Sequence, residues 1–226
     1  MSEAFNSSLQ LMRDSDVTEY PEHMMDWIES VSDLGVKALF ILGPDYKGTA
    51  ADREVFAVYP GSLRTEAEQF ARGDSYGADW RSSNSPLSGF SNLRSSKNAW
   101  ESKFLESGFL SVVRVEFPLT LNRSFECFIL CDREMSGRSD AALIVYAMLG
   151  AWPLIKVSIG KGRLGVTDRE LESLLLAAEG LTALQAADRM GCTERTITFH
   201  WSNAVKKLGA DTKMAAIQRA VWLGLI

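Results

Sequence analysis

The sequence has few of the residues that form cross-links, bind metals or carry out acid–base chemistry: three Cys and two His in 226 residues. An odd and small number of Cys excludes a disulfide framework in a chain of this length, so we expect buried, reduced thiols. His23 and His200 are too few to give a Cys nucleophile a base partner, and neither H-E-x-x-H nor G-x-S-x-G occurs. The sequence therefore predicts no metal site, no cofactor and no enzyme activity.

Signals for export and membrane insertion are also lacking. Residues 1–10 are polar and have no basic region ahead of an apolar run, unlike a signal peptide. The longest apolar stretch, residues 141–155, is shorter than the roughly 20 residues that span a bilayer, and Pro153 interrupts it. We therefore expect a soluble, cytoplasmic protein that does not associate with membranes.

Positive charge is in short supply overall, because 24 Lys and Arg face 29 Asp and Glu, a net charge of −5. This balance argues against a protein that is basic over its whole surface and coats nucleic acid. The charge is unevenly distributed, however: residues 1–162 carry a net −6 and residues 163–226 a net +1. A small nucleic-acid-binding domain at the C-terminal end remains compatible with the composition.

The first 159 residues alternate between helical and strand-like patterns. Helices are predicted over residues 21–34, 62–72, 92–107 and 139–159, and strands over residues 36–42, 53–59, 113–117 and 125–131. The last two strands are close enough in sequence to form a hairpin. This order predicts an α+β fold, an α/β/α sandwich with an antiparallel sheet. Residues 73–89, rich in Gly, Ser, Asp and Asn, are predicted to be a long surface segment, and residues 160–166 a flexible linker.

Residues 167–226 predict an all-α, four-helix domain. Thr167 and Thr182 each precede a Glu or Gln by three residues and so begin helices through capping boxes. A turn at residues 191–193 leads into a third helix, in which Thr193 is the predicted N-cap. Its predicted buried stripe is Ile197, Trp201, Ala204 and Leu208, and its outer face is Arg195, Thr198, Ser202 and Lys206. Two helices joined in this way indicate a helix-turn-helix, although the spacing also fits a helical bundle with an ordinary solvated face.

The C-terminal residues resemble the LuxR-type helix-turn-helix family. The resemblance is carried by the segments T-D-R-E from residue 167, G-L-T from residue 180, A-A-D-R-M-G from residue 186, T-E-R-T-I-T-F-H from residue 193 and K-K-L-G-A from residue 206. Glu170, Leu174 and Gly180 match framework positions of the family. The resemblance implies a domain that binds double-stranded DNA as a dimer on a palindromic site. The implied DNA-binding residues are Thr193, Arg195, Thr196, Thr198, Phe199, Ser202, Lys206, Lys207 and Lys213.

The N-terminal region is similar, more distantly, to the autoinducer-binding domain of the family's quorum-sensing members. That similarity implies a ligand segment beginning at Tyr59, with Leu63 where the family has Trp, and with Asp79 and Trp80 near the ligand's amide. Pro118 matches a strand-end Pro, whereas Arg114 replaces a family Gly. Because Leu63 cannot donate the hydrogen bond of an indole, the resemblance implies an altered or absent response to acyl-homoserine lactones. Ordinary packing is the alternative role for these residues.

Two functions fit these patterns. The first is a bacterial transcription regulator of the LuxR quorum-sensing type, dimeric on palindromic promoter DNA, with RNA polymerase as a further partner. The second is an anti-activator that forms a heterodimer with a related regulator and blocks its DNA binding. The second is motivated by the short Thr198 and Ser202 side chains at the base-reading positions.

Overall fold

The computed structural model describes residues 22–45, 52–72, 87–95, 99–119 and 123–226. The chain divides into two compact units, Met1–Leu149 and Gly150–Ile226. The division falls within a long helix rather than at the predicted linker.

The N-terminal unit is built on a five-stranded antiparallel sheet with the order β2-β1-β5-β4-β3. Its strands are β1 (Val36–Pro44), β2 (Arg53–Tyr59), β3 (Leu87–Asn92), β4 (Ser111–Leu119) and β5 (Arg123–Cys131). The helices are α1 (Glu22–Ser30), α2 (Arg64–Ala71), α3 (Ala99–Glu106) and α4 (Arg138–Leu164). The predicted hairpin is confirmed, since β4 pairs with β5 from Ser111 opposite Cys131 to Leu119 opposite Arg123.

One face of this sheet carries an aromatic cluster. Phe40 and Phe128 lie opposite each other on β1 and β5, and their rings stack at a centroid distance of 4.9 Å. Phe70 of α2 meets the Phe128 ring edge-on at 4.7 Å, and Phe104 of α3 stacks on Phe40 at 5.7 Å. These four rings pack α2 and α3 onto the sheet.

Strand β3 shows that residues 87–89, the end of the predicted surface segment, form a strand, and it corrects the prediction that Asn92 begins a helix. The strand is at the sheet edge and pairs with β4, with Gly89 opposite Arg114. Its sequence, L-S-G-F-S-N, lacks the alternation and the β-branched residues that indicate a strand. Helical structure begins afterwards, with a 3-10 turn at Leu93–Ser95 followed by α3.

Helix α4 is longer than the sequence predicts. It was expected to end at residue 159, but it continues through the glycines at 160 and 162 to Leu164, so most of the predicted linker at residues 160–166 is helical. One side of α4 is buried: Ala141, Ile144, Met148, Trp152, Ile155 and Ile159. The stretch Arg138–Gly160 is long and apolar enough to cross a membrane by length and composition, a test that the core helix of a water-soluble protein also passes.

Within the C-terminal unit, four helices follow α4. They are α5 (Asp168–Ala178), α6 (Ala183–Met190), α7 (Glu194–Lys207) and α8 (Lys213–Trp222). The end of α4 belongs to the same unit and approaches the residues that follow α8. A side chain at Gly160 would be 2.9 Å from Leu225, and one at Gly224 would be 2.7 Å from Lys156. The two glycines therefore allow a close approach that larger residues would obstruct.

Candidate nucleic-acid interface

Helices α6 and α7 form a helix-turn-helix whose ends are fixed by local hydrogen bonds. Helix α6 ends at Gly191, whose φ of +64° is readily adopted by glycine. Thr193 then caps α7, because its hydroxyl oxygen accepts a hydrogen bond from the amide of Thr196 at 3.2 Å. The predicted capping boxes at Thr167 and Thr182 are both confirmed. These caps hold the N-terminal end of α7 in a defined position.

The inner face of α7 is anchored to the other helices. Ile197, Ala204 and Leu208 are buried, as predicted. Trp201 is partly buried, and its indole N–H donates a hydrogen bond to the carbonyl of Ser173 in α5 at 2.9 Å. These contacts fix the rotation of α7 about its own axis, so the residues between the anchored positions face outward.

The outward face of α7 is exposed at Arg195, Thr198, Phe199, Ser202 and Lys206. The first four of these, with Glu194, line an open surface recess of about 440 Å³. The Thr198 hydroxyl donates to the carbonyl of Glu194 at 3.0 Å, and the Ser202 hydroxyl donates to the carbonyl of Thr198 at 2.9 Å. The recess thus combines one guanidinium, one carboxylate, two hydroxyl oxygens and one aromatic ring.

Lys207 and Lys213, two other predicted DNA-binding residues, have partners inside the domain. The Lys207 ammonium donates to both carboxylate oxygens of Glu170, at 3.0 and 2.8 Å, and so joins α7 to α5. The Lys213 ammonium lies over the Trp201 ring, 3.9 Å from its centroid. Thr193 and Thr196 share a hydrogen bond between their hydroxyls at 2.9 Å. The structure gives these side chains roles in stability, and their contact with DNA stays a prediction.

Glu170 carries a buried carboxylate whose charge is balanced by hydrogen bonds from Lys207 and Thr167. Its side chain is 4% exposed. Burial acts to raise the pKa of Glu170, but hydrogen bonds from Lys207 and from the backbone and hydroxyl of Thr167 outweigh it and hold the pKa below its ordinary value. The carboxylate therefore connects the start of α5 to the end of α7.

A protein-family model confirms what the helices of this unit indicate. Residues 165–220 match the model for "Bacterial regulatory proteins, luxR family". The C-terminal domain belongs to the LuxR family. The matched residues include both capping boxes, the turn and all of α7.

Several curated relatives that match this part of the chain are transcriptional activators. The transcriptional activator AnoR of Acinetobacter nosocomialis is 43% identical over 70 residues, which cover 31% of this chain and 29% of that protein. The activator LuxR of Aliivibrio fischeri is 34% identical over 120 residues, covering 49% of this chain and 48% of that protein. The matches thus span less than half the length of these relatives. The second is longer than the LuxR-family domain and so reaches outside it.

Similar solved structures cover nearly the whole chain. The crystal structure of Escherichia coli SdiA covers 98% of this chain and 97% of its own, at 21% sequence identity and a TM-score of 0.42.

The residues predicted to bind a ligand lie in the N-terminal unit, outside the LuxR-family domain. Tyr59 ends β2 and is partly exposed, whereas Leu63 is buried in the cluster that contains Phe70. Asp79 and Trp80 lie outside the described residues. Pro118, expected at a strand end, is the second-last residue of β4. The structure therefore places Leu63 among apolar side chains, and a shared ligand site for the four residues stays a prediction.

A buried group of charges near the aromatic cluster escaped the sequence analysis. Glu126 on β5 is fully buried and is held by the guanidinium groups of Arg53 on β2 and Arg114 on β4. The Arg114 guanidinium also lies 5.3 Å from the centre of the Phe128 ring. Glu116, 2% exposed, lies opposite Glu126 on β4. Burial and the Glu126 charge raise the pKa of Glu116 despite a hydrogen bond from Ser124.

Proposed function

We propose that the chain is a DNA-binding transcription regulator of the LuxR quorum-sensing type that acts as a dimer on a palindromic promoter site. The observation that carries this proposal is the exposed polar face of α7, held in a fixed register by its caps and by Trp201. In a helix-turn-helix, the second helix enters the major groove with its N-terminal end leading. Arg195 and the recess residues near this end then meet base edges, and Lys206 meets the backbone.

A dimer would present two copies of α7 separated by one DNA turn, about 34 Å. The N-terminal unit supports self-association, because α4 exposes large apolar side chains at Leu143, Tyr146 and Leu149 on the side opposite its buried face. We propose that two chains associate through this side of α4. The cytoplasm as location and RNA polymerase as a further partner belong to the same proposal. Catalysis forms no part of it.

The proposal includes an altered or absent response to acyl-homoserine lactones. Phe40, Phe70, Phe104 and Phe128 occupy the space between the sheet and the helices α2 and α3. Arg114, where quorum-sensing relatives are expected to have Gly, extends a guanidinium into the same face of the sheet. Both features favour a core that is filled by side chains over one that is filled by a ligand.

DNA binding is tested with the full-length protein by fluorescence anisotropy against promoter fragments from its own genome. We expect saturable binding that weakens as salt increases, because phosphate contacts release counterions. Arg195→Ala should weaken binding to the preferred fragment by about 10- to 100-fold, the effect of losing one bidentate base contact. Arg169→Ala is the matched control, since Arg169 pairs with Glu172 on α5 away from the recess. Binding that no fragment saturates would refute the proposal.

Ligand dependence is tested by thermal unfolding with short-, medium- and long-chain acyl-homoserine lactones. A ligand that binds only the folded state raises the unfolding temperature, and the rise grows with the ratio of the free ligand concentration to its dissociation constant. We expect no shift with any of these compounds and DNA binding without them. A dose-dependent rise, or DNA binding that requires a lactone, would contradict this part of the proposal.

The anti-activator alternative is favoured by one observation, the internal partners of Lys207 and Lys213. With those two lysines engaged inside the domain, the cations on the outward face of α7 are Arg195 and Lys206, and the Glu194 carboxylate cancels part of their charge. Such a face would bind DNA weakly unless paired with a more basic partner. Co-purification with a LuxR-type activator, together with weak DNA binding by the chain alone, would support the alternative. Recovery of homodimers alone would count against it.

A further inference from the structure

The recess on α7 contains one large apolar side chain, Phe199, which is 62% exposed. Single exposed apolar residues are common on protein surfaces, so exposure alone indicates nothing. Its position is more informative, because Phe199 shares the recess with the groups that the proposed function directs toward base edges. The base edges that this helix contacts should therefore match the hydrogen-bonding and apolar groups of the recess.

While they keep their hydrogen bonds within the helix, the hydroxyls beside Phe199 offer only acceptors to a partner outside it. The protons of Thr198 and Ser202 are already donated to backbone carbonyls one turn earlier, at 3.0 and 2.9 Å. Their remaining lone pairs are available as acceptors. Glu194 adds a carboxylate acceptor, so Arg195 is the one donor side chain among the five residues that line the recess.

Base edges in the major groove differ in what they offer these groups. Guanine presents two acceptors, which suit Arg195. Hydrogen-bond donors come from the amino groups of adenine and cytosine, and thymine presents an apolar C5-methyl group. A single A·T pair therefore offers a donor for Thr198 or Ser202 together with a methyl group for an aromatic ring. A G·C pair offers no methyl group.

We propose that Phe199 is a specificity-determining residue that contacts the C5-methyl group of a thymine in each half-site, next to a guanine contacted by Arg195. This inference rests on the proposed function, because it requires α7 to enter the major groove. It assigns the hydroxyls of Thr198 and Ser202 to the adenine of the same or a neighbouring A·T pair. The ring supplies apolar contact where a longer basic side chain would supply a hydrogen bond.

The test begins by selecting operators from random double-stranded DNA with the full-length protein. Each thymine of the selected half-site is then replaced by deoxyuracil, which removes only the C5-methyl group. We expect one position at which replacement weakens binding about four-fold per half-site, or about 15-fold when both half-sites are changed, as for burial of about one methylene. At that position Phe199→Ala should bind the thymine and uracil operators equally.

Two variants complete the design. Phe199→Leu should retain part of the thymine preference, because Leu still offers apolar contact. Met214→Ala removes another exposed apolar side chain, 70% exposed and outside the recess, and should leave the preference unchanged. A thymine preference that survives in Phe199→Ala, or no position sensitive to uracil, would overturn the inference while DNA binding itself stands. Failure to select any sequence would instead refute the proposed function, and the inference with it.

Discussion

The pairing of Lys207 with Glu170 gives a prediction that separates stability from DNA binding. Lys207→Met removes the ammonium but keeps most of the apolar stem. Glu170 is almost fully buried and would lose both hydrogen bonds from Lys207, while the amide of Thr167 would still donate to it at 2.8 Å. We therefore expect the C-terminal unit to lose stability and its DNA-contacting surface to remain intact.

The magnitude follows from the burial of the pair. Removing one partner of a fully buried ion pair costs about 3–5 kcal/mol. Lys207 is about one-third exposed, with 35% of its side chain accessible, so water can partly replace it. We expect the free energy of unfolding to fall by about 2 kcal/mol, which lowers the unfolding temperature of a small domain by about 8–16 °C. The assay is thermal unfolding of the full-length protein followed by circular dichroism.

Lys206→Met is the matched control, because Lys206 is the exposed neighbour on the outward face. It should leave the unfolding temperature unchanged within about 2 °C. The effect of Lys207→Met should also depend on pH. The folded-state pKa of Glu170 lies below the ordinary 4.5, so its stabilising contribution is present above that value and is lost as the pH falls through the folded-state pKa. Equal changes in unfolding temperature for Lys207→Met and Lys206→Met, or a difference between them that persists at acidic pH, would refute the reasoning.

Three further predictions concern glycines, a buried carboxyl group and the charge of the recess. Gly162→Ala should stabilise α4 by about 0.5–1 kcal/mol in thermal unfolding, because nothing lies within 4 Å of the added methyl group. Gly224→Ala should destabilise by about 1–2 kcal/mol, because its φ of +66° is unfavourable for a residue with a side chain, whereas the end of the Lys156 side chain, 2.7 Å from the added Cβ, can move aside. Glu116→Gln should increase stability relative to wild type as the pH rises above 4.5, because the raised pKa of Glu116 makes its ionisation unfavourable in the folded state. Glu194→Gln should tighten DNA binding about three-fold at low salt in anisotropy titrations, since it removes a negative charge beside the phosphates.

Each of these predictions has a clear contrary result. Equal effects of the two glycine variants would mean that the left-handed backbone at Gly224 carries no energetic cost for alanine. A stability difference for Glu116→Gln that does not change with pH would show that the carboxyl group stays neutral or finds another partner. Weaker binding by Glu194→Gln would indicate that the carboxylate accepts a hydrogen bond from a base.

The C-terminal domain was predictable because its determinants are local in sequence. Both capping boxes, the turn at Gly191 and the buried stripe of α7 connect residues no more than four positions apart. Each was confirmed, except that Trp201 in the stripe is only partly buried. The periodic spacing of Ile197 and Ala204 also fixed the opposite, outward face. Local hydrogen bonds and periodicity are visible in a single sequence.

The features that escaped prediction depend on contacts between distant residues. Helix α4 continues past Gly160, where propensity alone favours an end, and the absence of a side chain there lets Leu225 lie against the helix. Strand β3 is formed by pairing with β4, since its own sequence has no strand pattern. Glu126 and Arg53 are separated by 73 positions, so no periodic pattern could join them. Such contacts override local preference.

The positive charge on the outward face of α7 leads to a prediction about how many copies of the chain bind one operator. The logarithm of the DNA-binding constant should fall linearly with the logarithm of the salt concentration, with a slope of about −0.9 for each phosphate that the protein neutralises on double-stranded DNA. If two copies of the chain bind one operator, Lys206→Met removes two such contacts and should reduce the slope by about 1.8. A single copy, alone or beside a different regulator, should give a reduction of about 0.9. Anisotropy titrations at several salt concentrations measure the slope, with Arg169→Met as the control because Arg169 pairs with Glu172 on α5, away from the recess. A slope that Lys206→Met leaves unchanged would remove Lys206 from the interface and contradict the proposed orientation of α7.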